Sequence, residues 1–230
     1  MTIKYHFFGK NCKIDNQLLD RSDFENNLRN LDFKFDDTLF VKQIHSNKAI
    51  AIDDETKKFN KNNRLEADAI ITNQKNIAIG IVTADCAPIL LFDKKNNIIA
   101  AIHAGWRGAL SGIIENSVKS MIDLGAKNIS CEIGPMIQQN SYEVSQDLVS
   151  EFTTKDSKNN KFFAKSSKKD KFQFNLNGFI EECLNKLPID NIENNKIDTL
   201  SDEKNYHSYR RSTLQNQDNY GRNLSIICIT

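Results

Sequence analysis

Short apolar stretches rich in isoleucine and valine follow one another between residues 39 and 133. Leu39–Ile44, Ala49–Ile52, Ala67–Thr72, Ile77–Val82, Pro88–Phe92 and Ile98–His103 each have strand length and strand-type residues. Several are almost continuously apolar, which predicts strands covered on both faces. The polar link Asp93–Asn97 predicts an antiparallel hairpin. Leu110, Ile113, Ile114, Val118, Met121 and Ile122 then recur at helical spacing and form one apolar stripe ending at Gly125. Ile129–Ile133 predicts another strand, closed by Gly134 and Pro135. Ser145 can cap a short helix that turns Leu148, Val149 and Phe152 inward. Phe179, Ile180, Cys183, Leu184 and Leu187 mark a helix stopped by Pro188, and Leu224–Ile229 a terminal strand. Two segments break the pattern: Asp53–Arg64 as a charged loop, and the lysine-rich Lys155–Lys171 as a solvated surface insertion. No internal repeat is visible, and the whole, residues 1–230, predicts one mixed α/β domain.

Composition narrows the function classes. With 27% charged and 39% apolar residues in 230, the chain can build a core large enough to hold a rigid site. Lys+Arg 31 against Asp+Glu 30 gives a net charge of +1, so no global field draws it to nucleic acid or to a membrane surface. A local basic pocket stays open. No apolar run approaches the length of a membrane span, and the first ten residues lack the apolar stretch of a secretory signal. The five cysteines, Cys12, Cys86, Cys131, Cys183 and Cys228, are scattered without a C-x-x-C pair, which points to a reducing compartment and a cytoplasmic location.

Polar residues gather at the strand ends, where α/β folds place their sites. His45, Cys86 and His103 offer two imidazoles and a thiolate, borderline-soft donors suited to zinc, with a fourth position left for water or substrate. Zinc lowers the pKa of bound water to about 7. Their spacing matches no compact zinc motif, so a Cys–His nucleophilic pair and ordinary buried side chains stand beside the metal reading. The turn Gly105–Gly108 offers backbone N–H groups to an anion, Arg107 a cation, and Trp106 a ring to stack on; the alternative is a tight turn with Trp106 packed in the core and Arg107 paired structurally. Arg210 and Arg211, behind Tyr209, read as an anion clamp or as surface ion pairs, and Gly221–Arg222 follows them.

The segments Gln43-Ile-His45-Ser46, Glu66-Ala-Asp68-Ala, Thr83-Ala-Asp-Cys86-Ala-Pro88, His103-Ala-Gly-Trp-Arg-Gly108, Ile133-Gly-Pro135, Tyr142-Glu143-Val144 and Ser208-Tyr-Arg-Arg211 occur in that order. In this the chain resembles the YfiH family, bacterial relatives of the laccase-domain proteins also called polyphenol oxidases. The resemblance runs from about Gln43 to the C-terminus. It implies a layered α/β/β/α fold with mixed β-sheets, similar to the catalytic domain of cytotoxic necrotizing factor toxins. It also implies a metal site on His45, Cys86 and His103, holding zinc or copper, and purine nucleosides and phosphate as substrates. The sequence departs from the common family pattern at Met136, Asp198 and Ser212.

The expected function is that of a zinc-dependent purine nucleoside phosphorylase, acting on adenosine, inosine and methylthioadenosine, with adenosine deaminase activity. Asp85, Arg107 and Arg210 are expected to serve the chemistry, Asp85 as the acid/base and the arginines as phosphate holders. Gln43, Trp106, Tyr209 and Arg211 are expected to contact substrate. The competing expectations are a Cys86–His103 hydrolase or amidase that edits peptidoglycan precursors, and a copper-binding polyphenol oxidase-like or regulatory module. Multi-copper oxidation needs many imidazoles, and the chain has four: His6, His45, His103 and His207.

Overall fold

The computed structural model describes residues 1–14, 22–52, 64–218 and 220–230. In chain order the elements are β1 (Ile3–Phe7), α1 (Ser22–Asn30), β2 (Asp37–Phe40), β3 (Ala49–Ile52), β4 (Ala69–Thr72), β5 (Ile77–Thr83), β6 (Ala87–Asp93) and β7 (Ile98–Ala104). There follow α2 (Trp106–Ser111), α3 (Ile113–Asp123), β8 (Ile129–Ile133), β9 (Glu143–Ser145), α4 (Gln146–Lys155), β10 (Phe163–Lys165), β11 (Lys171–Phe174), α5 (Leu176–Asn185), β12 (Ile189–Asn194), α6 (Tyr209–Leu214) and β13 (Asn223–Ile229).

Two mixed sheets lie face to face. One has the order β1-β13-β5-β2, the other β12-β8-β6-β7-β4-β3, and a small sheet β10-β11-β9 flanks them. Strand alternation sorts the apolar residues into three layers. Leu90 and Phe92 of β6 and Ile99 and Ala101 of β7 meet Ile79 and Ile81 of β5 and Ile227 and Ile229 of β13 between the sheets. Ile89, Leu91, Ala100 and Ile102, on the opposite face, pack on Ile114, Val118 and Met121 of α3 and Ile180 and Leu184 of α5. Beneath the other sheet, Ala78, Ile226 and Cys228 pack on Phe24 and Leu28 of α1. The result is the α/β/β/α layering. It also explains the continuous apolar runs, because β6, β7 and β13 are buried along their whole length on both faces.

The hairpin at Asp93–Asn97 forms, with Asp93 opposite Ile98. The buried Asp93 carboxylate ties it together, accepting from the N–H groups of Lys95, Asn96, Lys127 and Asn128. Three expectations need correction. The run Leu39–Ile44 pairs only as far as Phe40; Lys42 makes an isolated bridge to Glu66, and Ile44 is exposed. The stripe Leu110–Ile122 is split between α2 and α3, because Gly112 at φ 98° takes a left-handed conformation that ends the first helix. Lys155–Lys171 is not a solvated insertion: Phe162 is buried in the core, the Phe163 ring stacks on Phe174 at 4.7 Å, and Asn159 donates to the Phe152 carbonyl at 3.0 Å. The charged loop expected at Asp53–Arg64 lies outside the described residues apart from Arg64.

Candidate metal centre

Three loop regions converge at one end of the two sheets. Cys86 sits in the connection between β5 and β6. His103 lies one residue from the end of β7, opposite Pro88 across the hairpin, which brings it beside Cys86. His45 arrives on the loop after β2 at φ 59°, a left-handed backbone held in place by hydrogen bonds to Asp68. Glycine lets these loops close in. A Cβ on Gly105 would lie 3.0 Å from Cys86 Sγ and 3.1 Å from the His45 ring, and one on Gly108 would meet the Ser46 carbonyl at 2.8 Å. Both glycines are buried and allow this close packing, and α2 is a helix of only six residues.

The ligand atoms of His45, Cys86 and His103 all lie within 4.8 Å of one another, with Cys86 Sγ 3.9 Å from His45 Nε2. The two rings are 4.7 Å apart, edge to face. Four-coordinate zinc, with bonds of about 2.0–2.3 Å, sets its ligands roughly 3.3–3.7 Å apart, so a contraction of at most about 1.5 Å closes the trio on an ion. The donor set therefore fits a metal. It is one ion's worth of donors: among the described residues this is the single group of three, and His6 and His207 pack elsewhere, against Phe8 and Gly221. A multi-copper cluster does not fit these residues.

Asp68, fully buried, organises two of the three ligands. Its Oδ1 accepts from His103 Nδ1 at 2.8 Å and from the His45 N–H at 2.9 Å. Its Oδ2 accepts from the Ser46 N–H at 2.6 Å, the Ser46 hydroxyl at 2.8 Å and the Ile44 N–H at 3.3 Å. Nδ1 of His103 is thus the protonated nitrogen and Nε2 is directed to the ligand position. Burial opposes the Asp68 charge, but the donors from His103 and Ser46 more than offset it and hold the carboxyl below its usual range. Burial likewise opposes the Cys86 thiolate, yet the two imidazoles bring the thiol down to about 6. His103 moves the other way: burial disfavours its cation, and the Cys86 thiolate and Asp68 raise it to about 9.

The trio faces a cleft of about 540 Å³. Arg107, Arg210, Trp106 and Tyr209 line it, as expected from the sequence. Arg107 is exposed, with its guanidinium 4.5 Å over the Trp106 ring. Arg210 lies 5.4 Å over the Tyr142 ring and donates to the Glu143 carbonyl at 2.7 Å. Tyr209 is half exposed and packs on Tyr220 at 4.9 Å. Gln43 and Asp85 also line the cleft, whereas Arg211 does not, and all three carry structural hydrogen bonds. Gln43 uses both ends of its amide on the Val82 backbone, at 2.8 and 2.9 Å. Both oxygens of Asp85 accept hydrogen bonds, from the Thr199 hydroxyl at 2.6 Å and the Arg210 N–H at 2.8 Å, so its carboxylate braces the loop. Arg211 is buried away from the cleft, donating to the carbonyls of Thr199, Leu200 and Tyr206.

Residue-by-residue reading missed Asp68 and Tyr142. The signal for Asp68 was a lone carboxylate at the head of the otherwise apolar run to Thr72. Thr83 also lines the cleft, with a buried hydroxyl that has no partner among the described residues.

The comparisons with known proteins agree with this architecture. Residues 15–230 match the family model described as multi-copper polyphenol oxidoreductase laccase. A Rickettsia prowazekii protein named purine nucleoside phosphorylase is 39% identical over 180 residues, 78% of this chain and 73% of that protein. A Rickettsia conorii protein of the same name is 37% identical over 84% of this chain and 78% of its own length. A protein named adenosine deaminase, from an unknown prokaryote, is 36% identical over about half of each chain, 51% and 47%. Among solved structures, YfiH of Bacillus licheniformis superposes with a TM-score of 0.77 at 23% identity, covering 91% of this chain and 80% of that one. A Neisseria meningitidis protein gives 0.76 at 24% identity, covering 96% and 85%. On the match over residues 15–230 and the two rickettsial relatives, the chain belongs to the YfiH-type, laccase-domain family.

Proposed function

We propose that the chain is a zinc-dependent purine nucleoside phosphorylase that also deaminates adenosine, acting in the cytoplasm. The observation that carries this reading is the pairing of a single-ion donor trio with two arginines that have no carboxylate partner among the described residues, Arg107 and Arg210, in one cleft. His45, Cys86 and His103 hold the ion, which supplies Lewis-acid polarisation and activation of water. Arg107 and Arg210 bind phosphate, each with guanidinium N–H donors still available to an anion. Trp106 offers a ring face to the purine, and Tyr209 stands at the mouth. Asp85 positions Arg210 through the backbone at the start of α6. The relatives named purine nucleoside phosphorylase support phosphorolysis, and the one named adenosine deaminase supports the second reaction.

Product analysis tests the proposal. Adenosine with phosphate should give adenine and ribose 1-phosphate; adenosine without phosphate should give mainly inosine. Arg107→Ala removes a charge-assisted contact of about 1.5–3 kcal/mol and should slow the phosphate-dependent reaction roughly 10- to 150-fold. Identical products with and without phosphate would sink the phosphorylase reading.

One observation favours a second reading. Cys86, His103 and Asp68 stand in the order thiol–imidazole–carboxylate of a nucleophilic hydrolase. Asp68, however, also fixes the His45 backbone, and a Cys–His hydrolase has no use for a second imidazole 3.9 Å from its thiol. Reaction of Cys86 with alkylating reagents separates the two readings.

A further inference from the structure

We propose that Tyr142 is the hydrogen-bond donor that stabilises the departing purine during phosphorolysis. The inference rests on the phosphorolysis reading of the same cleft. A nucleoside leaves its purine with negative charge building on the imidazole part of the base, and a neutral donor at that place lowers the barrier. The expected acid, Asp85, is committed to Thr199 and Arg210. Of the other lining groups, Lys42 is paired with Glu66 and the Tyr220 hydroxyl accepts from Arg222. Three lining hydroxyls lack a hydrogen-bond partner among the described residues: Thr83, Tyr142 and Tyr209. Thr83 sits at the end of β5 and Tyr209 at the exposed mouth. Tyr142 lies beneath Arg210, whose guanidinium is 5.4 Å over its ring, in the cleft that Cys86, His103 and Arg107 also line.

Its ring is held firmly. Phe174 packs 5.6 Å away, Arg210 covers one face at 5.4 Å, and the Tyr142 carbonyl accepts from the Phe174 N–H at 2.9 Å. Burial, with the charges of Cys86 and Asp85, pushes the phenol upward against the pull of Arg210 and Arg107. The hydroxyl therefore keeps its proton and acts as a standing donor. In the reaction a phosphate oxygen bonds to C1′ as the C1′–N9 bond breaks, and the bonding pair moves onto the purine. The Tyr142 hydroxyl donates to purine N7 while that charge develops. The proton carried by HPO4²⁻ ends on the free base, so atoms and charge balance.

The test compares inosine with 7-methylinosine, each with phosphate, in the wild-type protein and in Tyr142→Phe. The methylated base is already cationic and leaves without negative charge, with N7 blocked as an acceptor. Tyr142→Phe should lower kcat on inosine roughly 100- to 1000-fold and on 7-methylinosine by less than about 10-fold, with KM for phosphate little changed. Turnover of 7-methylinosine by the variant also reports that the cleft is folded. Equal losses on both substrates, or no loss on inosine, would overturn the assignment. If the wild-type protein releases no hypoxanthine from inosine and phosphate, the phosphorolysis reading itself fails and the role of Tyr142 falls with it.

Discussion

Asp68→Asn tests the claim that a buried carboxylate builds the metal site. The wild-type carboxylate faces five donors, two on Oδ1 and three on Oδ2. An amide presents one oxygen and one NH2, so in either orientation at least two donors face another donor. If the NH2 replaces Oδ1, the His45 N–H loses its acceptor, and His103 must move its proton to Nε2, the nitrogen required for the ion. Charge-assisted hydrogen bonds contribute about 1.5–3 kcal/mol each, so two losses cost roughly 3–6 kcal/mol. For a chain of this size that lowers Tm by about 6–24 °C. Zinc affinity should fall at least 10- to 100-fold, the range seen when partners of metal-bound histidines are removed. Scanning calorimetry on metal-stripped protein reads the first effect, and competition against a chromophoric chelator reads the second. An Asp68→Asn protein that keeps its zinc affinity within about twofold and its Tm within about 2 °C would refute the reasoning.

Two further expectations follow from the geometry. With zinc bound, Cys86 should resist iodoacetamide. In stripped protein its alkylation should rise between pH 5 and 7 and level off above, because a thiol held at about 6 is ionised above that pH, whereas an ordinary thiol would still be gaining rate at pH 8. Rapid alkylation with zinc in place would promote the hydrolase reading. Replacing Lys155–Lys171 with a short Gly/Ser linker removes Phe162 from the core and the Phe163–Phe174 stack, a loss of about 4 kcal/mol. Tm should then drop by roughly 8–16 °C, and an unchanged Tm would return the segment to a solvated loop.

The central strands were legible because burial on both faces leaves an uninterrupted apolar run, as in β6 and β7. β1 (Ile3–Phe7) was not, since its apolar residues alternate with Lys4 and His6 on a half-buried edge. Only Phe24 and Leu28 of α1 are buried, too few to raise a stripe above its polar background. In Lys155–Lys171 the lysines masked two aromatics that the fold needs. At the site, His45, Cys86 and His103 stood out because donor chemistry is a property of the residue itself. The tasks of Gln43, Asp85 and Arg211 depend on what lies opposite in space: the Val82 backbone, a threonine 114 residues away, and three carbonyls of a later loop. Side-chain identity alone could not separate bracing from binding at these positions, and the same holds for the double duty of Asp68.

The central claim is that one ion, held by His45, Cys86 and His103, is required for nucleoside phosphorolysis. Zinc titrated into metal-stripped protein, with ribose 1-phosphate formation from inosine and phosphate followed at each addition, tests it most directly. The account predicts activity that rises from background to a plateau at one ion per chain, and no rise with His45→Ala. Full activity in the stripped protein, or an undiminished rise in His45→Ala, would contradict it.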